Sequence, residues 1–553
     1  MKKFYKLLSL LILITILLGI FSGCNAQNKQ TDSSTSTTDS QKTTDSSQGS
    51  KEQTSDTGST GGKITDKPIT LTCWASLNSN VAQHSTSYSE IPLYKELEKR
   101  TGVKIEFLHP PVGQENEQFN LMIASNELPD MIEYNWLGYP GGPEKAMQDG
   151  IIMPLNDVID QYAPNLKKYF AANEDIAKMV KTDNGNYYCF PFIRGDDFLT
   201  VFYGPQIRKD WLDEYGLEIP TTISEWETVL KELINKKGLD AGITLSGTSE
   251  ISMGGFIVSA YGVLYGFMQE NGQVKYGPIE PGFKDALATL EKWYREGILD
   301  PDFAAQDAKT KDAKITGDRV AAYVGYSGSG MGKYTPLVRQ QNPKFELAGA
   351  PWPTLNKGEI PITGQKDNPY IGGGSVAITT QCDELEIAAK WLDYGYSEEG
   401  HMLYNFGIED VSYKMVNGYP TYTDLITKNP DGLSMGQALA QYCRSSFSGP
   451  FVQDRRYQEQ YLQYPEQVEA LKTWGNHKGL LKMPPITPTP EESQRYASIM
   501  SEINTYLSEM FLKFVMGQES IDKFDSFVEQ IKKMNIEEAI KIQQAALDRY
   551  YKR

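Results

Sequence analysis

The chain has 553 residues, 40% of them hydrophobic and 11% aromatic, and its 71 acidic against 54 basic side chains leave a formal net charge of −17. A chain this acidic repels nucleic acid and anionic lipid unless a local basic patch intervenes. Its length supplies a large core and more than one domain.

Lys2, Lys3 and Lys6 precede an apolar run from Leu7 to Phe21, which has the charged-then-greasy order of a secretory signal and is too short to span a bilayer comfortably. The run ends in Ser22, Gly23 and Cys24. Small residues give a processing enzyme access to the backbone, and a thiol directly after them can be linked to diacylglycerol. The pattern resembles a bacterial lipobox, with Phe21 where Leu is usual. Residues 1–23 are therefore read as a lipoprotein signal peptide and Cys24 as the lipidated anchor, since two or three acyl chains hold where one is marginal. Up to residue 62 there is no aromatic and only Ala26 as a weak apolar residue, too little to offset chain entropy. Residues 24–66 form a tether with a reach of roughly 35 Å.

From about residue 67 a strand-then-helix order recurs. "ITLTCWAS" alternates as a strand, "EIPLYKELEKRTG" reads as an amphipathic helix ended by Gly102, and "VKIEFLHP" is a second strand. "NEQFNLMIASNELPD" is a helix, "MIEYNW" a third strand, and "PEKAMQDGIIMPLNDVIDQYAPN" two helical pieces about a turn at Gly150. This order argues for an α/β sheet of largely parallel strands, with ligand at their carboxyl ends. The first strand runs into Trp74, Ser76 and Asn78, the third into Glu133, Tyr134, Asn135, Trp136 and Tyr139 beside a glycine-rich turn. Aromatic planes rimmed by amides and carboxylates suit a sugar, whose C–H face packs on a ring while its hydroxyls need partners. Core packing is the competing reading for each ring taken singly.

Further on, Thr222 with Glu225 three residues later forms a capping box ahead of Trp226, Val229, Leu230 and Leu233 at helical spacing. Near the end, Ile499, Ile503, Tyr506, Leu507, Met510, Phe511 and Phe514 make one buried stripe of a long helix, and a shorter helix from Ile536 to Tyr550 follows. Cys73, Cys189, Cys382 and Cys443 are scattered without C-x-x-C spacing, so they read as small buried hydrophobes, with a disulfide left open.

"LPDMIEYN", "KAMQDGIIMPLNDVIDQYAPN", "IRKDWLDEYGLEIPTTISEWETVLKEL", "DRVAAYVGYSGS" and "YIGGGSVAITTQCDELEIAAKWLDYGYSEEG" together resemble successive blocks of family 1 extracellular solute-binding proteins, in the lipoprotein branch of Gram-positive bacteria. The resemblance spans most of Thr70 to Tyr550. It implies a two-lobe periplasmic-binding-protein fold with hinge strands and a helical C-terminal region, in residues 67–553. Lobe 1 is expected at about 67–192 and 371–402, lobe 2 at about 203–364 and 407–553. The crossings would lie near Pro191–Tyr203, Gly364–Ile371 and His401–Gly407. It also implies capture of an oligosaccharide between the lobes and delivery to the permease subunits of an ABC importer. The protein would be a monomer, lipid-anchored at the outer face of the cytoplasmic membrane, with no nucleic-acid partner.

Carried over position by position, the ligand residues are Trp74, Asn78, Glu133, Tyr134, Asn135, Trp136 and Tyr139 in the first lobe and Tyr326 and Ser327 in the second. Trp352, Trp474, Arg194 and Tyr203 are added as weaker matches. Some relatives insert an Asp/Asn-rich calcium loop after the "SEWETVLKEL" helix; here "INKKGLDAGITLSG" lacks the alternating carboxylates, so no metal is expected there, nor any cofactor. The family's "GIEG" turn is "GIED" at Gly407 to Asp410.

A surface-tethered glycoside hydrolase is the rival class, since it needs only two well-placed carboxylates. The four histidines, His84, His109, His401 and His477, build no H-E-x-x-H, and neither a G-x-S-x-G elbow nor a P-loop is present. An adhesion or scaffold lipoprotein would show repeats, which are absent. The expectation is binding without catalytic residues, for a saccharide rather than a peptide or another small solute.

Overall fold

Two mixed sheets organise the computed structural model, which describes residues 63–444 and 448–553; the leader and Cys24 lie outside the described residues. At the centre of the first sheet is the strand Ile69–Trp74, paired in parallel with Val103–Leu108 from Ile69 opposite Val103 to Trp74 opposite Leu108. Met131–Tyr134 lies parallel on its other side, and Ser375–Ile378 closes that edge antiparallel. Between the first two strands the helix Pro92–Thr101 starts with Pro at its first turn and ends at Gly102 in the left-handed region. Only glycine fits there, because a Cβ would come within 2.4 Å of the Thr65 carbonyl oxygen.

The second sheet runs Leu347–Gly349, Tyr203–Arg208, Val320–Tyr326, Ala241–Thr244. Only its last pair is parallel, so the expectation of largely parallel strands holds for the first sheet and not the second. Tyr203–Arg208 enters directly from the crossing out of the first lobe rather than over a helix, and it therefore runs against both neighbours. The Thr222–Glu225 capping box forms as read, opening the helix Ile223–Lys237, which buries Trp226, Leu230 and Leu233. Ile499, Ile503, Leu507, Phe511 and Phe514 are buried along Pro490–Val515, while Tyr506 and Met510 are partly covered. Two helices follow that one, Phe524–Lys533 and Ile536–Lys552.

Each sheet has its own core. Leu71, Ile105, Ile132, Phe190 and Trp391 belong to the first, and Trp226, Trp293, Val324 and Phe514 to the second. Cys73, Cys189 and Cys382 are buried and unbridged, and the Cys443 thiol donates to the Leu439 carbonyl at 3.3 Å. At the first crossing Ile193 packs in the first core and Tyr203 in the second core, and on the return crossing Trp352 lies in the second and Tyr370 in the first. At the third, the chain departs from the expected allotment of everything after Gly407 to lobe 2. Ala440 and Phe451 join the first core, and Arg444 reaches Glu133 beneath it. The hairpin Tyr413–Val416/Tyr419–Tyr422 and the helix Met435–Tyr442 build a satellite core around Phe406. Only after Val452–Gln453, paired in parallel with Ile193–Arg194, does the chain pass through the helix Arg455–Tyr461 to Leu462 and Trp474, which pack with Tyr323 of the second sheet. The third crossing is thus near 453–462 rather than 401–407, because Ala440 and Phe451 still pack in the first core.

The far ends of the chain's last helices tie the two cores together. Arg549 and Arg553 both bond Asp183, and Arg553 also donates to the carbonyls of Lys178 and Lys181. Arg549 bonds Glu492 as well. Removing this mostly buried carboxylate leaves the Arg553 guanidinium without its counterion and Arg549 with Glu492 alone, which costs about 3 kcal/mol. Asp183→Asn is expected to lower the melting temperature by about 5 °C in differential scanning calorimetry; an unchanged melting temperature would mean the ties carry no stability.

Candidate functional site

Polar and aromatic groups collect at strand ends of both sheets. On the first sheet, the segment after Ile69–Trp74 and the end of Met131–Tyr134 enclose a cavity of about 280 Å³ lined by Ser76, Leu77, Asn78, Tyr88, Glu133, Tyr134, Asn135, Gly374 and Ser448. Tyr134 stacks face to face on Phe119, with centroids 3.8 Å apart, and stays half-buried. Its floor is ionic. Arg444, fully buried, donates to both Glu133 carboxylate oxygens at 2.7 and 2.9 Å and to the Tyr94 hydroxyl at 2.6 Å, with its guanidinium 4.5 Å from the Tyr88 ring. The Asn78 backbone N–H donates to the Tyr88 hydroxyl at 3.0 Å, and its side-chain Oδ1 accepts from the Asn80 N–H at 2.9 Å.

The second sheet contributes a staircase of planar groups. Tyr326, at the end of Val320–Tyr326, is 41% exposed, the most open aromatic among the anticipated ligand residues. Phe202 lies parallel to it at 5.9 Å and 8°, and the Arg194 guanidinium lies 4.7 Å over Phe202. Tyr203 meets Tyr326 edge-on at 5.0 Å and is itself buried. Burial, then the charges of Asp367 and Glu250, push the Tyr326 phenol above its ordinary range, so it stays a neutral donor and acceptor at physiological pH. Glu250 is fixed by Lys311 at 2.6 Å and by the Ser246 N–H at 2.7 Å.

Several anticipated ligand residues lie elsewhere. Trp136, Trp352 and Trp474 are fully buried, each taken up by packing inside its own lobe. Trp136 sits among Phe119, Tyr134 and Tyr139. Trp352 donates its ring N–H to the Trp474 carbonyl, and Trp474 donates to that of Pro205; a Cβ on Gly204 would come within 2.5 Å of the Trp474 ring. Trp74 is 6% exposed between Phe119 and Tyr134 and supports the platform from behind. Tyr139 is buried with its hydroxyl donating to Asp149 at 3.3 Å. Ser327 is buried, its carbonyl taken by Gln467 at 2.8 Å. Arg194 is engaged by the Leu199 carbonyl and Asp367. Asn78, Glu133, Tyr134 and Asn135 come together in one cavity; Arg194 and Tyr203 support Tyr326 rather than face solvent.

Sequence reading missed Arg444, Phe202, Asp367 and the Glu250–Lys311 pair. Phe202 directly precedes Tyr203 at the expected crossing Pro191–Tyr203, and that place was the available signal. Arg444 carried none, because it belongs to the segment that stays with the first core ahead of the third crossing, whose position was misjudged.

Residues 82–402 match the family model described as bacterial extracellular solute-binding protein, and the chain belongs to that family. Among curated relatives, the fructooligosaccharide ABC transporter substrate-binding protein FusA of Streptococcus pneumoniae is 22% identical over 496 residues, covering 83% of this chain and 87% of that one. The lipoprotein LipO of Bacillus subtilis is 24% identical over 470 residues, 81% of this chain and 87% of that one. Of solved structures, the alginate-binding protein AlgQ2 superposes with a TM-score of 0.73 at 26% identity, over 88% of this chain and 99% of that one. These likenesses place the two sheets as the two lobes of a solute-binding protein.

If Trp474 belongs to the core, Trp474→Ala should lose about 4 kcal/mol in urea unfolding. Unchanged stability would return this ring to the ligand surface.

Proposed function

We propose that the chain is the capture component of an ABC importer for an oligosaccharide, which it binds between Tyr134 and Tyr326 and releases uncut to the permease. The observation that carries this reading is the pair of platforms: two tyrosines at the ends of opposing sheets, each stacked on a second ring and each still open to solvent, with amides and carboxylates at their edges. One ring face is committed to a phenylalanine, so the other remains for the C–H face of a sugar. Relatives named for fructooligosaccharide and alginate binding support a saccharide over a peptide.

Anchoring at Cys24 belongs to the same proposal and is supported by the lipobox-like segment and by the relative named as a lipoprotein. Among the described residues no helix is long and apolar enough to cross a membrane. The protein would act as a monomer on the extracellular side, with residues 25–62 as its tether. Cys24→Ser should move it from the membrane fraction to the medium; retention in the membrane fraction would contradict the anchor.

Tyr326→Ala is expected to weaken saccharide binding about 30-fold in isothermal titration calorimetry, as loss of a central aromatic contact does, without lowering the melting temperature. Chromatography of the sugar after overnight incubation should recover it intact. Undiminished affinity would remove Tyr326 from the site, and shortened sugar would favour a tethered hydrolase.

A further inference from the structure

The cavity at the end of Met131–Tyr134 has a floor built from two distant parts of the chain. Glu133 and Arg444 stand 311 residues apart, and their side chains are only 9% and 2% exposed. Arg444 arrives there because the helix Met435–Tyr442 packs in the satellite core and because the Arg444 backbone N–H donates to the Tyr404 carbonyl at 2.9 Å. Its Nη1 donates to the hydroxyl of Tyr94, whose ring packs on Phe107 and Tyr88 and does not line the cavity. Its Nη2 serves the cavity side, donating to both Glu133 oxygens at 2.7 and 2.9 Å and to the Ser448 hydroxyl. Glu133 and Ser448 both line the cavity, and the Gly449 N–H fixes that segment to the Gly374 carbonyl at 2.8 Å.

This arrangement leaves a defined hydrogen-bonding capacity. A carboxylate has about four acceptor sites. Arg444 fills one on each Glu133 oxygen, and among the described residues no other group donates to that carboxylate. Ser448 accepts from Arg444, and among the described residues its own O–H has no acceptor. The neighbouring Tyr88 hydroxyl is already engaged twice, donating to the Ser76 carbonyl at 3.1 Å and accepting from the Asn78 N–H at 3.0 Å. An open acceptor and an open donor are therefore bonded to one guanidinium nitrogen. Adjacent sugar hydroxyls match such a pair, one giving its proton and the next receiving one, and the bond to a carboxylate is the charge-assisted, stronger of the two.

We propose that Arg444 is a positioning residue for saccharide capture: it sets Glu133 as acceptor and Ser448 as donor for two neighbouring hydroxyls of the sugar residue held in the first-lobe cavity. Arg444 itself does not line the cavity and acts through the two side chains that do. The proposal rests on the reading of the cavity as part of a saccharide site and assigns the groups that read the sugar there.

The probe is the tightest binder among kestose, maltotriose, trigalacturonate and trimannuronate, followed by isothermal titration calorimetry. Glu133→Gln and Arg444→Lys should each weaken it about 10-fold, and Ser448→Ala and Tyr94→Phe about threefold. In the Glu133→Gln background, Arg444→Lys and Tyr94→Phe should each cost less than about twofold more, because a group that acts through Glu133 then has nothing left to position. A purely structural tie would move melting temperatures and leave affinities multiplying independently. Tyr94→Phe keeps the ring packing and carries the test if Arg444→Lys does not fold. Independent losses in the double variants, or parental affinity in Glu133→Gln or Ser448→Ala, overturn the proposal. If those variants bind like the parent while Tyr326→Ala binds weakly, the saccharide reading stands without it; failure of every sugar overturns the saccharide reading beneath it.

Discussion

A single buried amide holds the site together. The Gln365 Oε1 accepts from the backbone N–H groups of Phe202 at 2.9 Å and Tyr203 at 3.3 Å, while its Nε2 donates to the Thr200 carbonyl at 3.0 Å and to Asp367 at 3.3 Å. The Asp367 N–H returns to the same Thr200 carbonyl at 2.9 Å. Two chain crossings are thereby clamped to each other at the root of the cleft. Phe202 is set under Tyr326 by this clamp, and Asp367 is set against Arg194. Because the amide oxygen serves the Phe202 and Tyr203 N–H groups and its nitrogen ties Thr200 to Asp367, it is costly to replace.

Around that clamp, the interlobe contacts divide into a fixed part and a part that a change in lobe angle would alter. The first crossing carries the 3-10 turn Asp197–Thr200 and the third the helix Arg455–Tyr461, so rotation would fall to the few extended dihedrals that flank them. On another face Arg549 and Arg553 bring the last helix of the second lobe onto Asp183 of the first. Any rotation of one lobe must keep or break those ion pairs, so their strength contributes to the balance between lobe arrangements, and a ligand shifts that balance only through its different contacts in each.

Local patterns carried most of the fold. The alternation of "ITLTCW", the Thr222–Glu225 box and the stripe from Ile499 to Phe514 are each fixed by near neighbours, and all three are found in the structure. Of the anticipated ligand residues, those that directly follow a strand are the ones the structure leaves reachable: Asn78, Glu133, Tyr134 and Asn135 share one cavity and Tyr326 is open. Tryptophans misled because a ring next to proline or glycine reads the same whether it faces ligand or its own lobe; Gly204 beside Trp474 is the packing partner that decides it. Arg444 was invisible since it reaches Glu133 from 311 residues away, in a segment whose lobe no local pattern announces.

Whether the two faces close on a sugar is the claim on which the account turns. Small-angle X-ray scattering of the protein, alone and saturated with a saccharide that raises its melting temperature, tests it most directly. The account predicts a smaller radius of gyration in the complex, with the sugar recovered intact; an unchanged scattering profile at full occupancy would contradict capture between moving lobes.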